Sequence, residues 1–303
     1  MDFLAEIQPG DRVAQYTIVR TIGEGGMGVV YEARSERPER RVALKVLSPW
    51  LASELGRARF EREVRTAAQL AHPNIVVIYD FGESERGVLY YAMEYLDGLD
   101  LRRLVELEGP QPAARVLHVL LQVASALGEA HEHGLVHRDI KPGNIILCEL
   151  GGVPDVAKLV DFGLVLSLRP SRRLTLDGPV LGTPRYAAPE SLTDGAAVTA
   201  ATDFYALGLV AFYLLTGRHA FDGPVSAEIL RKQRDEPAPS LVDFGVPADL
   251  AQVIAWCLEK DPSARPHDAR ALREALASCE EAGRWSDAAA HAWSARNARL
   301  ADR

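Results

Sequence analysis

Residues 137–144 read His137-Arg138-Asp139-Ile140-Lys141-Pro142-Gly143-Asn144, so one short loop carries a carboxylate, an ammonium and a carboxamide. Asp139 can accept a hydroxyl proton, Lys141 can stabilise a phosphoryl group in transfer, and Asn144 offers an oxygen ligand to Mg2+. Asp161-Phe162-Gly163 adds a second hard oxygen ligand at a flexible turn. Closer to the start, Gly23-Glu24-Gly25-Gly26-Met27-Gly28 spaces Gly23, Gly25 and Gly28 so that backbone N–H groups can approach phosphate oxygens. Lys45, in Val42-Ala43-Leu44-Lys45-Val46, shares a strand face with Ala43. Glu63 lies on the edge of an apolar helical stripe, and an inward carboxylate needs a partner. A buried Lys45–Glu63 pair would hold the lysine where it can neutralise phosphates. Taken singly, each has a plain alternative: a glycine-rich hairpin turn, a solvent-facing lysine, a polar turn.

The secondary structure implied by the sequence changes character along the chain. Up to about residue 95, short β-rich runs alternate with turns, as in Tyr16–Ile22, Arg41–Leu47 and Val88–Met93. A dinucleotide fold would place a helix directly after the glycines; β-branched Val29 and Val30 lead instead into Tyr31-Glu32-Ala33, which predicts strand–loop–strand. One helix is expected from roughly Ala52 to Leu70, with Phe60, Val64, Ala67, Ala68 and Ala71 as its apolar stripe. After Gly98 the period turns helical, and a long apolar helix from about Ala113 to His133 is closed by Gly134. Ile145–Leu147 and Ala157–Val160 flank the loop Glu149–Pro154 as a hairpin, and helices resume near Thr202, Asp249 and Ala269. The last 20 or so residues, with Trp285 and Trp293 among alanines, read as one more helix or a linker. Glu280–Ala289 bears a faint resemblance to the opening of a helical-repeat unit, but one repeat cannot bury its own face.

Composition narrows the class. The chain has 303 residues, 48% hydrophobic and 25% charged, the balance of a folded chain with two domains or lobes. Its net charge of −8 disfavours nucleic acid and anionic lipid as partners. The most apolar stretch, Phe204 to Gly217, is shorter than the roughly 20 residues a membrane helix needs, so a buried core helix and no membrane anchor are expected within this chain. The acids of Met1–Glu6 do not make a secretory signal. Three scattered cysteines, Cys148, Cys257 and Cys279, fit a reducing compartment, and a cytoplasmic location is expected.

In order and spacing, the glycine-rich loop, Val42-Ala43-Leu44-Lys45, Glu63, His137-Arg138-Asp139 with Asn144, Asp161-Phe162-Gly163 and Ala188-Pro189-Glu190 resemble the protein kinase family. The resemblance covers about residues 16 to 278. Lys141, two residues after Asp139, and Gly182-Thr183-Pro184-Arg185-Tyr186 look like the serine/threonine branch. His72-Pro73-Asn74-Ile75-Val76 and Gly25-Gly26-Met27-Gly28 are similar to the eukaryotic-like kinases of bacteria.

That resemblance implies an α+β, two-lobed kinase fold: a lead-in over 1–15, a small β-sheet N-lobe with one key helix over 16–95, a larger, mostly helical C-lobe over 96–280, and a C-terminal helix or linker over 281–303. It implies transfer of the γ-phosphoryl of ATP to protein serine or threonine hydroxyls with Mg2+, for which Mn2+ can substitute. Asp139, Lys141, Lys45 and Glu63 would be the catalytic set, and Asn144 and Asp161 the metal ligands. Nucleotide contacts would come from Ile22, Gly23, Gly25, Gly28, Val30, Ala43 and Ile146, with Met93 as gatekeeper and Glu94-Tyr95-Leu96 as the hinge whose backbone bonds adenine. Asp203 would anchor the catalytic loop, or else cap its own helix; Arg265 would pair with Glu190, or else be a surface arginine; Thr183 and Arg138 would complete the frame.

Thr175 would be the activating phosphorylation site, eight residues before Thr183, with Ser171 and Ser167 behind it and Asp177 already charged nearby. Two such chains would pair for trans-autophosphorylation. Many relatives carry a basic residue where this chain has apolar Leu164-Val165-Leu166, so Arg169, Arg172 or Arg173 would have to replace it. A pseudokinase scaffold would lack one of Lys45, Asp139 or Asp161, and all three are present. A small-molecule phosphotransferase would not need Gly182-Thr183-Pro184 and Ala188-Pro189-Glu190, which shape a ledge for peptides.

Overall fold

The computed structural model describes residues 7–25, 28–48, 54–162, 184–192 and 198–293. Thr175, Ser171, Ser167, Asp177, Thr183, Arg169, Arg172 and Arg173 lie outside the described residues, as do Gly163–Leu166 and the Gly26-Met27 tip of the glycine-rich loop. The described residues fall into two units: one holds those up to Ala71 together with Ile75–Leu96, the other His72–Asn74, Asp97–Phe162 and those from 184 on.

The first unit is built on an antiparallel sheet of β1 (Arg12–Val13), β2 (Tyr16–Gly25), β3 (Gly28–Glu36), β4 (Glu39–Leu47), β5 (Ile78–Glu83) and β6 (Leu89–Glu94), in spatial order β1-β2-β3-β4-β6-β5. Side chains alternate between its faces. Tyr16, Ile18, Tyr31, Ala33, Val42, Leu44, Val46, Tyr90 and Ala92 make the apolar core of one face. The registers Val30↔Lys45, Glu32↔Ala43, Lys45↔Tyr91 and Ala43↔Met93 put the other set together on the opposite face. Helix α1 (Glu54–Ala67) covers that second face, because Phe60 packs on Tyr91 and Phe81 with ring centroids 6.5 and 6.4 Å apart. The helix stops at Ala67, short of the expected Leu70, and Ala68 and Ala71 of the expected stripe are exposed. Leu70 is buried from the turn that follows.

The second unit holds a three-stranded sheet and helices α2 (Leu101–Glu108), α3 (Ala113–Glu132), α4 (Ala200–Thr216), α5 (Ser226–Asp235), α6 (Ala248–Cys257) and α7 (Ala269–Ala277). Strands β7 (Gly98–Asp100), β8 (Ile145–Leu150) and β9 (Val153–Leu159) are antiparallel in that order, and the β8–β9 turn is tighter than expected, with Gly151 and Gly152 both at positive φ. From Thr202 to Leu215 every residue of α4 is buried, as a helix apolar all round must be. Helix α3 crosses α7 closely: a Cβ on Gly128 would stand 3.1 Å from that of Ala269. No helix among the described residues is long and apolar enough to cross a membrane.

The tail docks on this unit. Arg115 of α3, with a side chain only 5% exposed, donates to both oxygens of Asp155 (2.9 and 2.7 Å) and to Glu108 and Gln111 (3.0 and 2.7 Å). The indole N–H groups of Trp285 and Trp293 donate to the same two carboxylates, Asp155 and Glu108, and both rings lie within 5.6 Å of the guanidinium. A buried arginine is thereby neutralised, hydrogen-bonded and covered by aromatic faces.

Candidate active site

The loop 135–144 begins where Gly134, at φ +71°, closes α3. Its backbone is fixed from below by Asp203, which is 1% exposed and accepts the N–H groups of His137 and Arg138, both at 2.8 Å. His131 Nε2 stands 2.8 Å from the same carboxylate. The N-cap of α4 is Thr199, so Asp203 is spent on the loop rather than on capping its own helix. Arg138 takes a left-handed conformation, φ +66°, which is costly for a residue with a Cβ and is held here by those bonds.

His137 is fully buried. Its Nε2 lies 3.1 Å from the Val160 carbonyl and its Nδ1 3.3 Å from the Asp139 N–H, which sets the neutral tautomer with the proton on Nε2. Burial pushes its pKa below the usual value, against the pull of Asp203 and Asp139. The ring also packs on Phe162, centroids 4.7 Å apart. A buried neutral histidine thus ties the loop to the segment that ends in Asp161 and Phe162.

On this frame the three chemical tools meet. Lys141 Nζ donates to Asp139 Oδ2 at 2.7 Å, and Asn144 Nδ2 donates to that same oxygen at 2.9 Å and to the Asp139 carbonyl at 2.8 Å. The Asp139 side chain keeps 22% exposure, enough for a hydroxyl to reach it. Asn144 directs its N–H groups at Asp139, so Oδ1 is its oxygen for a cation. Its backbone carbonyl accepts from Val160 N at 3.0 Å, which places it beside the residue preceding Asp161. Asp161 itself has φ +56°. Among the described residues no three acidic, histidine or cysteine side chains gather as a metal cage. The side-chain oxygens of Asn144 and Asp161 are hard donors, the kind Mg2+ accepts beside waters and phosphate oxygens.

In the first unit, β2 and β3 pair to the tip of the glycine-rich loop, Gly23↔Val30 and Gly25↔Gly28. The glycines differ in why they are glycine. Gly28 has φ +144°, and a Cβ on it would lie 2.1 Å from the Val46 carbonyl oxygen, so backbone packing demands it. Gly25 has nothing within 4 Å of that position. Lys45 is 8% exposed, its Nζ 5.9 Å from the Tyr91 ring centroid. Glu63 is half-buried one turn beyond Phe60, on the helix that covers the face bearing Lys45. Ala43 and Met93 are buried and directly paired; Val30, Glu94, Leu96 and, in β8, Ile146 are half-buried; Ile22 is exposed.

Arg265 and Glu190 form a bidentate pair, 2.8 and 2.9 Å, with the Arg265 side chain wholly buried. Every guanidinium N–H is used, the rest going to the carbonyls of Glu259, Ala201 and Lys260, and Thr202 donates to Glu190 at 2.8 Å. Burial alone would raise the Glu190 pKa, but the Arg265 and Thr202 bonds and the Arg265 charge outweigh it and hold the carboxyl below its usual value. Nothing in the sequence alone marks His137 as the tie to Val160 and Phe162, or the charges of Glu32 and Arg115 as buried. The one hint for Arg115 is a lone cation inside an apolar helix.

Known proteins agree with this architecture. The family model described as "Protein kinase domain" matches residues 16–277. The chain is 37% identical to "Serine/threonine-protein kinase pkn3" of Myxococcus xanthus over 91% of this chain and 52% of that one. It is 37% identical to "Serine/threonine-protein kinase PrkC" of Bacillus subtilis over 92% of this chain and 42% of the other. It spans about half the length of these curated relatives or less. The crystal structure of the Mycobacterium tuberculosis PknI kinase domain superposes with a TM-score of 0.71 at 33% identity, covering 91% of this chain and all of that one.

Proposed function

The chain belongs to the protein kinase family, among its bacterial serine/threonine members, and we propose that it transfers the γ-phosphoryl group of ATP to serine or threonine hydroxyls of protein substrates. The observation that carries this reading is the Asp139 carboxylate. It is partly open to solvent, hydrogen-bonded by Lys141 and Asn144, and mounted on a backbone held by Asp203.

Asp139 orients the incoming hydroxyl and takes its proton as the oxygen bonds the γ-phosphorus, while the bond from that phosphorus to the β,γ-bridging oxygen breaks and ADP leaves. Lys141 moves from neutralising Asp139 to sharing the charge on the transferring group. Lys45, paired with Glu63, steadies the remaining phosphates, and the backbone N–H groups of Gly23, Gly25 and Gly28 are assigned to them as well. Asn144 and Asp161 would hold Mg2+, or Mn2+ in its place, which when bound supplies charge neutralisation along the phosphates. Glu94 and Leu96 are assigned to adenine through their backbone, and Met93, Val30, Ala43 and Ile146 through their side chains. Thr175 is the autophosphorylation site, with Ser171 and Ser167 secondary, and a second copy of the chain is the partner for that step. The three cysteines are reduced and buried, which suits a cytoplasmic site of action.

Incubation with ATP and Mg2+, alone and with a generic basic protein, tests the reading. Phosphoserine or phosphothreonine on the chain and on the added protein is the expected result. ATP binding without transfer would make it a scaffold, and turnover of small alcohols alone would make it a small-molecule phosphotransferase.

A further inference from the structure

Glu32, in the middle of β3, carries a carboxylate on the sheet face that also bears Val30, Ala43, Lys45 and Met93, yet its side chain is only 10% exposed. It is satisfied by two arginines. Arg20 Nε reaches Oε2 at 2.8 Å and Arg41 Nε reaches Oε1 at 3.1 Å. Arg20 arrives there because the β2–β3 register shifts between Ile18 and Arg20: Val19 is the extra residue, and Arg20 lands directly opposite Glu32. Arg41, two residues before Ala43, shares the same face by the strand period.

Both arginines then converge on Tyr95. The Arg41 guanidinium lies 4.0 Å from the ring centroid, and Arg20 Nη2 donates to the hydroxyl at 3.1 Å. Strand β6 ends at Glu94, so Tyr95 has left the ladder that would otherwise fix it. Its neighbours Glu94 and Leu96 are the hinge positions assigned to adenine above. Although the Arg20 and Arg41 side chains are 59% and 48% exposed, their shared carboxylate orients both toward the ring and hydroxyl of one aromatic and reduces the freedom this stretch would lose on binding a base.

We infer that Tyr95 is a positioning residue for ATP: clamped by Glu32 through Arg20 and Arg41, it holds the hinge backbone in the geometry that receives adenine. The inference rests on the ATP-binding reading given above. Its test is calorimetric binding and steady-state kinetics on the full chain with Tyr95→Ala, Tyr95→Phe and Glu32→Gln, using Mg·ATP and, as a base-free probe, Mg·tripolyphosphate.

Tyr95→Ala should raise the Kd and KM for ATP about tenfold while kcat stays within about twofold and tripolyphosphate binding is unchanged. Tyr95→Phe, which keeps the ring over Arg41 but loses the hydroxyl, should fall between, and Glu32→Gln should resemble Tyr95→Ala. ATP affinity unchanged in Tyr95→Ala would overturn the inference, as would an equal loss for tripolyphosphate, which would mark a general loss of structure. Failure of the unaltered chain to bind ATP would instead remove the functional reading, and the inference with it.

Discussion

Arg265 shows what a single residue contributes when every donor is used. Five N–H groups meet five acceptors, with Glu190 on the fork and Tyr205 stacked 4.7 Å from the guanidinium carbon. Arg265→Met would leave Glu190 buried without its cation, and chemical denaturation should show a loss of about 3–5 kcal/mol. Replacing both partners by apolar residues should cost less than that. The depressed Glu190 pKa gives a stability contribution that is complete above the ordinary carboxylate range and is lost as pH falls through the lowered value. His137 acts at higher pH. Because burial lowers its pKa, the unfolded chain takes up a proton first, so its contribution is full above about 6.5 and is lost as pH falls below that. Thermal unfolding followed from pH 8 to 5 should show the midpoint falling below about 6.5, and His137→Gln should flatten that part of the curve.

At the scale of elements, the β2–β3 hairpin separates two demands for glycine that sequence alone merges. Gly28→Ala should lower the melting temperature, because its Cβ would strike the Val46 carbonyl, while Gly25→Ala should leave it unchanged; differential scanning calorimetry of the two variants decides. The hairpin itself was legible from Val29 and Val30, as were α3 with its Gly134 stop, the β8–β9 hairpin and the buried α4, because each follows from a local period or a turn residue. Helix α5 is not announced by the sequence, and α2 is not set apart within the helical stretch expected after Gly98. Ser226–Asp235 is largely polar and buries Ile229, Leu230 and Gln233, too few apolar positions to announce a helix. The end of α1 was overrun because Ala68 and Ala71 continue the apolar spacing after the backbone has turned away. The candidate residues of 137–144 stood out in the sequence because their types and order are chemical; the roles assigned to them are proposed above. The clamp on Tyr95 was not, since a one-residue bulge at Val19 decides which way Arg20 faces.

Across the whole molecule, contacts between distant segments decide which charges can be buried. Arg115 reads in the sequence as one cation in an apolar helix; what makes its burial tolerable is Trp285, far along the chain, together with Trp293. Trp285→Ala should reduce stability to denaturant by about 1–3 kcal/mol, through lost packing and an Asp155 oxygen left without its indole donor. An unchanged denaturation midpoint would mean that the tail is not held there. The proposed activity turns on Asp139 as the base that takes the hydroxyl proton. Single-turnover phosphoryl transfer by Asp139→Asn, with ATP affinity measured on the same protein, tests it most directly. Unchanged ATP binding and a transfer rate lower by about 10²–10⁴, the contribution of a positioned base, are expected; transfer at the unaltered rate would remove Asp139 from that role.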